Sequence, residues 1–435
     1  MAEAGQSSGR QVYIVDGART PYIRAQGIPG PFSASDLAVA AGRPLLLRQP
    51  FSPDCLDEVI LGNIMSAPDE VNIGRVVSQR LGCGVAVPAW TVQRNCGSGM
   101  QAIDCAYRNI LSGRSGLVLA GGTEAMSRAP LLFNTAMATW LGRLNGAKGL
   151  PAKLQHLARF RPAMLAPVIG LLRGLTDPVV GMNMGQTAEE LAFRFKISRA
   201  DMDGYAVQSH LRMVAARAEG RLPEIEPLYD QAGHCYDHDD GVRPDSSVEK
   251  LTKLKPVFDR EFGAVTAGNS SQITDGAAWV ILADEEKVRH YNLPVLARIV
   301  DTEWAGLAPQ QMGLGPVHAM APVLQRQKLN LPDIDYFEIN EAFAAQVLAC
   351  VAACQDHEFC RKELNLAEAL GAIDLTRLNV DGGAIAVGHP VGSSGARIVL
   401  HLCHVLAQKQ ARRGLAAICI GGGQGGALVV KSYLP

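Results

Sequence analysis

Short apolar runs alternate with helically spaced apolar positions along most of the chain. Gln11-Val12-Tyr13-Ile14-Val15 reads as a buried strand, and Asp16-Gly17 predicts its end. Arg19-Thr20-Pro21 then reads as a loop. Leu37 to Leu47 has helical spacing, Glu58 to Asn63 reads as a second strand, Val71 to Leu81 as a helix, and Trp90 to Val92 as a short strand. Met100, Ile103, Ala106 and Ile110 share one face of a helix that runs to Ser112, and Gly116 to Gly122 reads as the next strand. Strands alternating with helices predict a layered α/β domain.

The rhythm breaks between Ala125 and Phe258. Lys148 to Arg173 is basic and apolar, with Lys153, His156, Arg159 and Arg161 set among Leu, Met, Phe, Val and Ile. Such a stretch suits contact with a membrane surface or a partner subunit, and equally an ordinary amphipathic packing helix. Arg199 to Gly220 reads as a helix with Ser198 as N-cap and Gly220 at its C-terminal end. The segment 125–258 is read as an inserted loop or lid domain. Residues 1–124 with 259–292 form the N-terminal half on this reading, and 293–435 the C-terminal half.

After a small-residue loop from Ala264 to Gly276, a helix-friendly run precedes a strand at Trp279 to Leu282. From Pro294 the opening pattern returns. Val295 to Val300 reads as a strand, Pro316 to Gln327 as a helix, Tyr336 to Asn340 as a strand, and Ala342 to Cys354 as a helix. Cys96-Gly97-Ser98-Gly99 leads through a helix and a strand to Gly121-Gly122. Gly392-Ser393-Ser394-Gly395 leads in the same order, through Ala396 to Gln408 and Leu415 to Cys419, to Gly421-Gly422-Gly423. This is duplication of a whole α/β unit. It predicts that Cys96 and His389 occupy corresponding places about a pseudo-dyad.

Composition narrows the setting. The 435 residues allow two or more domains, and 48% hydrophobic with 19% charged residues is a globular balance. A net charge of -1 gives no general attraction to nucleic acid. The ten cysteines form no C-x-x-C pair, so a reducing compartment is expected, cytoplasm or an organelle matrix, and no metal site. Residues 1–11 lack the apolar core of a signal peptide, and no apolar run is long enough to span a membrane. Ser432-Tyr433-Leu434-Pro435 matches no targeting tripeptide.

Four segments carry candidate chemistry: Cys96, Asn340-Glu341-Ala342-Phe343, Gly388-His389-Pro390, and Cys419-Ile420-Gly421. Cys96 sits in a glycine turn ahead of a helix, where the macrodipole is expected to lower its pKa. Each segment alone has a plainer reading: a structural cysteine, a capping or core histidine, a core cysteine, a helix-capping Glu341. Together they supply a cysteine with a base beside it. They also supply a second thiol able to act as base on a weak carbon acid, and backbone N–H groups at Cys96 and Gly421 for an oxyanion.

These residues resemble the thiolase family. The likeness extends from about Val12 to Val430, through Asp16 to Pro21, Asn95 to Gly99, Gly121 to Ser127, Asn269 to Gly276, Asn340 to Phe343, Gly383 to Gly395 and Cys419 to Gly425. The resemblance implies the thiolase fold: two duplicated βαβαβαββ halves in five α/β/α/β/α layers, with a loop domain inserted in the first half. It implies that Cys96 takes up the shortened acyl chain of a 3-ketoacyl-CoA. His389 activates Cys96 and shares an oxyanion hole with a water held by Asn340. Cys419 handles the proton at Cα, and the N–H groups of Cys96 and Gly421 form the second oxyanion hole. Ser271 and Met184 match positions lining the pantetheine tunnel, with Phe343 beside them.

CoA is a substrate on this reading, and no cofactor is expected. Small-chain biosynthetic members carry His and Gly where this chain has Asn183 and Gln272, so a side chain at 272 is expected to reshape the acyl passage. The long insertion looks more like the thiolase subunits of fatty-acid oxidation complexes, although those tend to have His at the place of Asn340. A degradative enzyme acting in fatty-acid β-oxidation follows, homodimeric or homotetrameric, with a hydratase/dehydrogenase partner or a membrane touched through 148–173. The alternatives are an acetyl-CoA C-acetyltransferase running condensation, a ketoacyl synthase, and a non-catalytic acyl-CoA-binding subunit. A ketoacyl synthase would want a second His where this chain has Cys419.

Overall fold

The computed structural model describes residues 9–433. Residues 1–8 of the polar N-terminal stretch, and Leu434 and Pro435, lie outside the described residues. The first half runs β1 (Val12–Arg19), β2 (Ile23–Arg24), α1 (Ala34–Leu47), β3 (Glu58–Gly62), α2 (Ile73–Arg80), β4 (Ala89–Val92), α3 (Ser98–Leu111) and β5 (Leu117–Ala125). The chain then leaves the sheet through β6 (Leu131–Leu132), α4 (Thr135–Gly146), α5 (Leu150–Leu157), β7 (Val168–Ile169), α6 (Gly170–Gly174), α7 (Met184–Arg194), α8 (Arg199–Ala218), β8 (Leu228–Tyr229), β9 (Cys235–Tyr236) and α9 (Val248–Leu251). It returns as β10 (Thr274–Asp284) and α10 (Glu285–Tyr291). The second half is β11 (Ala297–Gly306), α11 (Gly315–Gln327), β12 (Tyr336–Ile339), α12 (Ala344–Gln355), α13 (His357–Glu363), α14 (Ala384–Val387), α15 (Ser394–Gln408), β13 (Arg413–Ile420) and β14 (Gln424–Ser432).

Strand order exposes the duplication. The first half lies as β4-β3-β5-β10-β1, and the second as β11-β14-β13-β12. Beyond β12, a parallel bridge from Phe337 to Leu378 stands where a counterpart of β4 would lie. Parallel and antiparallel pairings repeat in the same order: β3 with β5 and β12 with β13 are parallel, whereas β5 with β10 and β13 with β14 are antiparallel. Within the sheet the halves join where Tyr13 pairs with Arg298 and Ile14 with Ala297.

Side-chain alternation along the strands separates three apolar clusters and thereby builds five layers. Leu117 and Leu119 of β5 join α1 and α2, whereas Val118 and Ala120 face α3. In β13, Leu415 and Ala417 join α11 and α12, whereas Ala416 and Ile418 face the middle. The central layer is α3 packed on α15, and both sheet halves bury their inner faces against it. Strands covered on both sides have no reason for polar alternation.

The two central helices cross at glycines. A Cβ on Gly99 would stand 2.9 Å from the Ala396 nitrogen, and one on Gly395 would stand 2.6 Å from the Met100 nitrogen. Gly99 and Gly395 are counterparts, as are Met100 and Ala396, so the contact is reciprocal about the pseudo-dyad. The counterpart of Cys96 is therefore Gly392. His389 reaches in from three residues further upstream, which corrects the expectation that it mirrors Cys96.

Three boundaries differ from the sequence reading for physical reasons. A β-bulge between Ile14 and Asp16 turns the Asp16 carboxylate toward Arg48 and lets β1 continue to Arg19. The helix-friendly run before Trp279 is strand, because α1 and α15 cover the two faces of β10 and leave room only for residues such as Ala277 and Ala278. β5 runs on through Gly121 and Gly122 to Ala125, where Gly122 lies against the Gly392 carbonyl.

α8 starts at the Ser198 cap, with Gly220 at φ +66 just beyond its end. Pro151, Pro162 and Pro167 divide 148–173 into α5, a 3-10 turn, β7 and α6. A buried ionic cluster ties the excursion to both halves. Arg19 of β1 binds Asp239 at 2.7 and 2.8 Å, and His401 of α15 meets Glu224 at 2.9 Å.

The crossing tolerates no added bulk. A Cβ on Gly122 would fall 1.9 Å from the Gly392 carbonyl oxygen, so Gly122→Ala is expected to cost ~2 kcal/mol or more and lower Tm in differential scanning calorimetry. Gly204→Ala within α8, where nothing lies within 4 Å, is expected to raise stability by ~0.5–1 kcal/mol.

Candidate active site

Cys96 is presented by a strained turn between β4 and α3. Asn95 takes a left-handed φ of +41, and Gly97 N–H and Ser98 N–H donate back to Arg94 and Asn95 at 2.9 and 3.0 Å. The Asn95 amide donates to the Gly421 carbonyl at 2.7 Å, locking this turn to the β13–β14 hairpin across the molecule. Gly422 and Gly423 make that hairpin with φ of +92 and +77. The Gly421 N–H and the N–H of Cys96 itself both reach the Cys96 sulfur.

Those donors do not win. Burial pushes the Cys96 thiol up, and the two N–H groups only partly offset it. This corrects the expectation of a lowered pKa: the desolvation of the turn outweighs the helix end. Cys419, near the end of β13, is buried, and its thiol is pushed well up, first by burial and then by the nearby charge of Cys96. The two sulfurs thus share one environment. A cavity of about 110 Å3 opens at Cys96, walled by Ile64, Met65, Met184, Val391, Gly421 and, from the excursion, Leu175.

His389 sits in the turn before α15 with its backbone N–H on the Gln272 carbonyl at 3.0 Å. Its Nδ1 lies 2.7 Å from Ser394 Oγ, and its Nε2 lies 3.4 Å from Asn340 Nδ2. Burial, then the Arg397 guanidinium, push the imidazole down to about 3, so it is neutral at physiological pH. Asn340, just past β12, is buried, and its Oδ1 finds no partner among the described residues. An unpaired buried acceptor beside a neutral imidazole suits a water or a bound substrate N–H or O–H.

Glu341 does more than cap a helix. Its carboxylate accepts from Tyr205 Oη at 3.0 Å, Ser209 Oγ at 2.6 Å, Asn379 Nδ2 at 3.0 Å and Ile385 N–H at 3.1 Å. It thereby pins α8 and α14 behind Asn340. Asn183 caps α7, bonding Gln186 N–H at 3.0 Å, which leaves Met184 to project into the cavity. The Gln272 side chain is not free. Its amide donates to the Gly241 carbonyl at 2.9 Å and to Ile385 and Ala386 carbonyls at 3.3 Å, stapling the excursion to α14. Ser271 N–H bonds the Ala342 carbonyl at 3.0 Å, next to Phe343, which packs edge-on against Phe258 at 5.9 Å.

Glu124 escaped the sequence reading, although it stands in the Gly121 to Ser127 stretch. It is buried and accepts from Ile64 and Met65 N–H groups at 3.0 Å, so it holds one wall of the cavity. Burial raises its carboxyl to about 7. A lone acid closing an apolar strand was the available signal. Ser394 and Arg397 were also missed, because nothing local marks a serine or arginine at a helix start as facing a histidine. Among the described residues no cluster of His, Cys, Asp or Glu could hold a metal ion.

Residues 12–286 match the thiolase N-terminal domain and residues 293–432 the thiolase C-terminal domain. Mitochondrial 3-ketoacyl-CoA thiolase of Bos taurus is 39% identical over 428 residues, covering 97% of this chain and 98% of that protein. The β-ketoadipyl-CoA thiolase of Pseudomonas aeruginosa is 38% identical over 431 residues, covering 97% and 99%. The crystal structure of human mitochondrial 3-ketoacyl-CoA thiolase in complex with CoA is 37% identical, covers 98% of each chain and gives a TM-score of 0.83. An acetyl-CoA acetyltransferase structure from Syntrophomonas wolfei, 30% identical, gives 0.85 over 98% of this chain and all of that one. Fold and sequence agree: the chain belongs to the thiolase family of acyltransferases.

Proposed function

We propose that the protein cleaves a 3-ketoacyl-CoA with CoA, giving acetyl-CoA and an acyl-CoA two carbons shorter, as in fatty-acid β-oxidation. The observation that carries this reading is that the Gly421 N–H, two residues past Cys419, reaches the Cys96 sulfur, and that the Cys419 thiol feels the charge of Cys96. His389, neutral and basic, takes the Cys96 proton as the sulfur attacks C3 of the substrate. The C2–C3 bond breaks and its electron pair goes to C2. Cys419, kept protonated by burial, gives its proton there, and acetyl-CoA leaves. Incoming CoA then returns a proton to Cys419 and attacks the acyl group on Cys96, whose sulfur recovers the proton from His389. The N–H groups of Cys96 and Gly421 stabilise one oxyanion, and His389 with a water on Asn340 the other. Met184, Ser271 and Phe343 line the path for pantetheine.

The same residues run in reverse for acetyl-CoA condensation, which is the second reading; the related acetyl-CoA acetyltransferase structures favour it. CoA serves as substrate and no further cofactor enters this scheme. Segments 1–124 with 259–292, 125–258 and 293–435 serve as N-terminal half, lid and C-terminal half. Half-buried β4 forms an open sheet edge, which supports a homodimer or homotetramer. All ten cysteines are free, which suits cytoplasm or an organelle matrix. No described helix is long and apolar enough to cross a membrane.

The stretch 148–173 takes a peripheral role on this reading. No acidic residue occurs between Glu124 and Asp177, and Leu150, Leu154, Leu165 and Leu172 stand exposed beside Lys148, Lys153, Arg159 and Arg161. Apolar side chains ringed by cations fit an anionic bilayer surface.

Cys96→Ala is expected to abolish acyl-enzyme formation, read by mass spectrometry after incubation with acetoacetyl-CoA; an acyl group on another residue overturns the assignment. Cys419→Ala is expected to keep acyl transfer from acetyl-CoA to Cys96 better than carbon–carbon cleavage of acetoacetyl-CoA, and equal loss of both contradicts a dedicated proton carrier at Cα. Since burial favours the neutral imidazole, His389 stays unprotonated as pH falls from 9 to 5. The kcat/KM profile is therefore expected to lack an acid limb near the free-imidazole value of ~6.5. Such a limb, if Glu124→Gln does not remove it, contradicts the burial argument. Co-sedimentation with anionic vesicles is expected to exceed that with zwitterionic ones and to drop when Lys148, Lys153, Arg159 and Arg161 become Glu. Binding to a hydratase/dehydrogenase subunit with indifference to lipid would instead assign the stretch to that partner.

A further inference from the structure

The duplication places a buried serine at the first position of each central helix: Ser98 opens α3 and Ser394 opens α15. Ser98 Oγ donates to the Asn95 carbonyl at 2.7 Å and accepts from Arg94 N–H at 2.8 Å. It therefore clamps the turn that presents Cys96. Ser394 Oγ donates to the Pro390 carbonyl at 3.2 Å and lies 2.7 Å from His389 Nδ1. Neither serine spends its oxygen on a helix N–H, so capping does not account for them.

A hydroxyl has one proton to give, and a proline carbonyl can only accept it. With that proton on Pro390, the Ser394 lone pairs face the ring, and Nδ1 must carry the hydrogen between them. On the far side of the ring, Asn340 Nδ2, also a donor, faces Nε2 at 3.4 Å. Both nitrogens thus favour the same tautomer. We infer that Ser394 is a positioning residue that holds His389 in the Nδ1–H form, leaving Nε2 as the basic atom. It does for the base what its duplicate Ser98 does for the nucleophile's turn. In one half the clamp receives a backbone N–H; in the other it receives an imidazole N–H. The role rests on the reading of His389 as the base for Cys96.

The test starts from enzyme labelled with 15N-histidine, whose long-range 1H–15N spectra report which ring nitrogen carries hydrogen. The His389 signals are identified by their loss in His389→Asn. Wild-type protein at pH 7 is expected to show protonated Nδ1 and bare Nε2. In Ser394→Ala the Nε2–H form is expected to appear, with kcat reduced about 10- to 100-fold and KM for CoA held within about threefold. Alkylation of Cys96 by iodoacetamide at pH 7 is expected to slow in parallel. Ser394→Thr, which keeps the hydroxyl, is expected to restore ring signature and rate together. Wild-type protein in the Nε2–H form overturns the inference, whether or not Ser394→Ala folds. So does a Ser394→Ala protein that keeps the wild-type ring signature. The ring measurement needs no turnover. A protein inert toward 3-ketoacyl-CoA but with the expected tautomer would sink the thiolase reading and leave the positioning contact standing.

Discussion

The close crossing of α3 and α15 is the constraint on which the rest depends. Each helix begins at a glycine turn, and glycine alone lets the two backbones meet with Gly99 against Ala396 and Gly395 against Met100. That contact sets the separation of the two sheet halves and so the thickness of the central layer. It also brings the turn bearing Cys96 beside the turn bearing His389, although these residues are far apart in the chain. A side chain at either glycine would move both turns at once, so packing and chemistry share one tolerance.

The site is largely buried, and its electrostatics follow from that. Burial pushes both thiols up and the imidazole down, so the resting site is neutral: two S–H groups and an uncharged ring. A neutral resting state suits a reaction in which protons move between these groups in turn, with the N–H groups of Cys96 and Gly421 already in place where charge develops. The charges of the region lie one layer out. Glu341 is satisfied by four donors, Arg19 by Asp239, and Glu124 by the backbone of the cavity wall. These groups fix positions and leave the centre uncharged.

Much of this was legible in the sequence. The strand and helix order and the duplication follow from apolar spacing and from two matching glycine turns. The reactive residues stand out because Cys96, His389 and Cys419 sit at turns or strand ends. What sequence could not supply is direction in space. Asp16-Gly17 looks like a stop until a bulge turns Asp16 outward to Arg48. Ala277 and Ala278 look helical because small residues suit helices, yet helices packed on both sides of a strand demand the same residues. Gln272 stands out by type, yet nothing in its neighbours tells that its amide is held by three carbonyls of distant segments. The balance between a helix end and burial at Cys96 depends on how much water the fold removes, which no local motif records.

The seam between β1 and β11 has a consequence of its own. Two residue pairs are a thin join for a sheet of ten strands. Load between the halves therefore passes chiefly through the middle pair of helices and the ionic ties of the excursion, with little carried along the ladder. Each half can act as a stiff plate, and any flexing of one plate against the other would pivot at the crossing where the turns that carry Cys96 and His389 begin the two helices. Geometry at the reacting carbon would then register the smallest relative tilt of the two plates, long before either lost a hydrogen bond of its own.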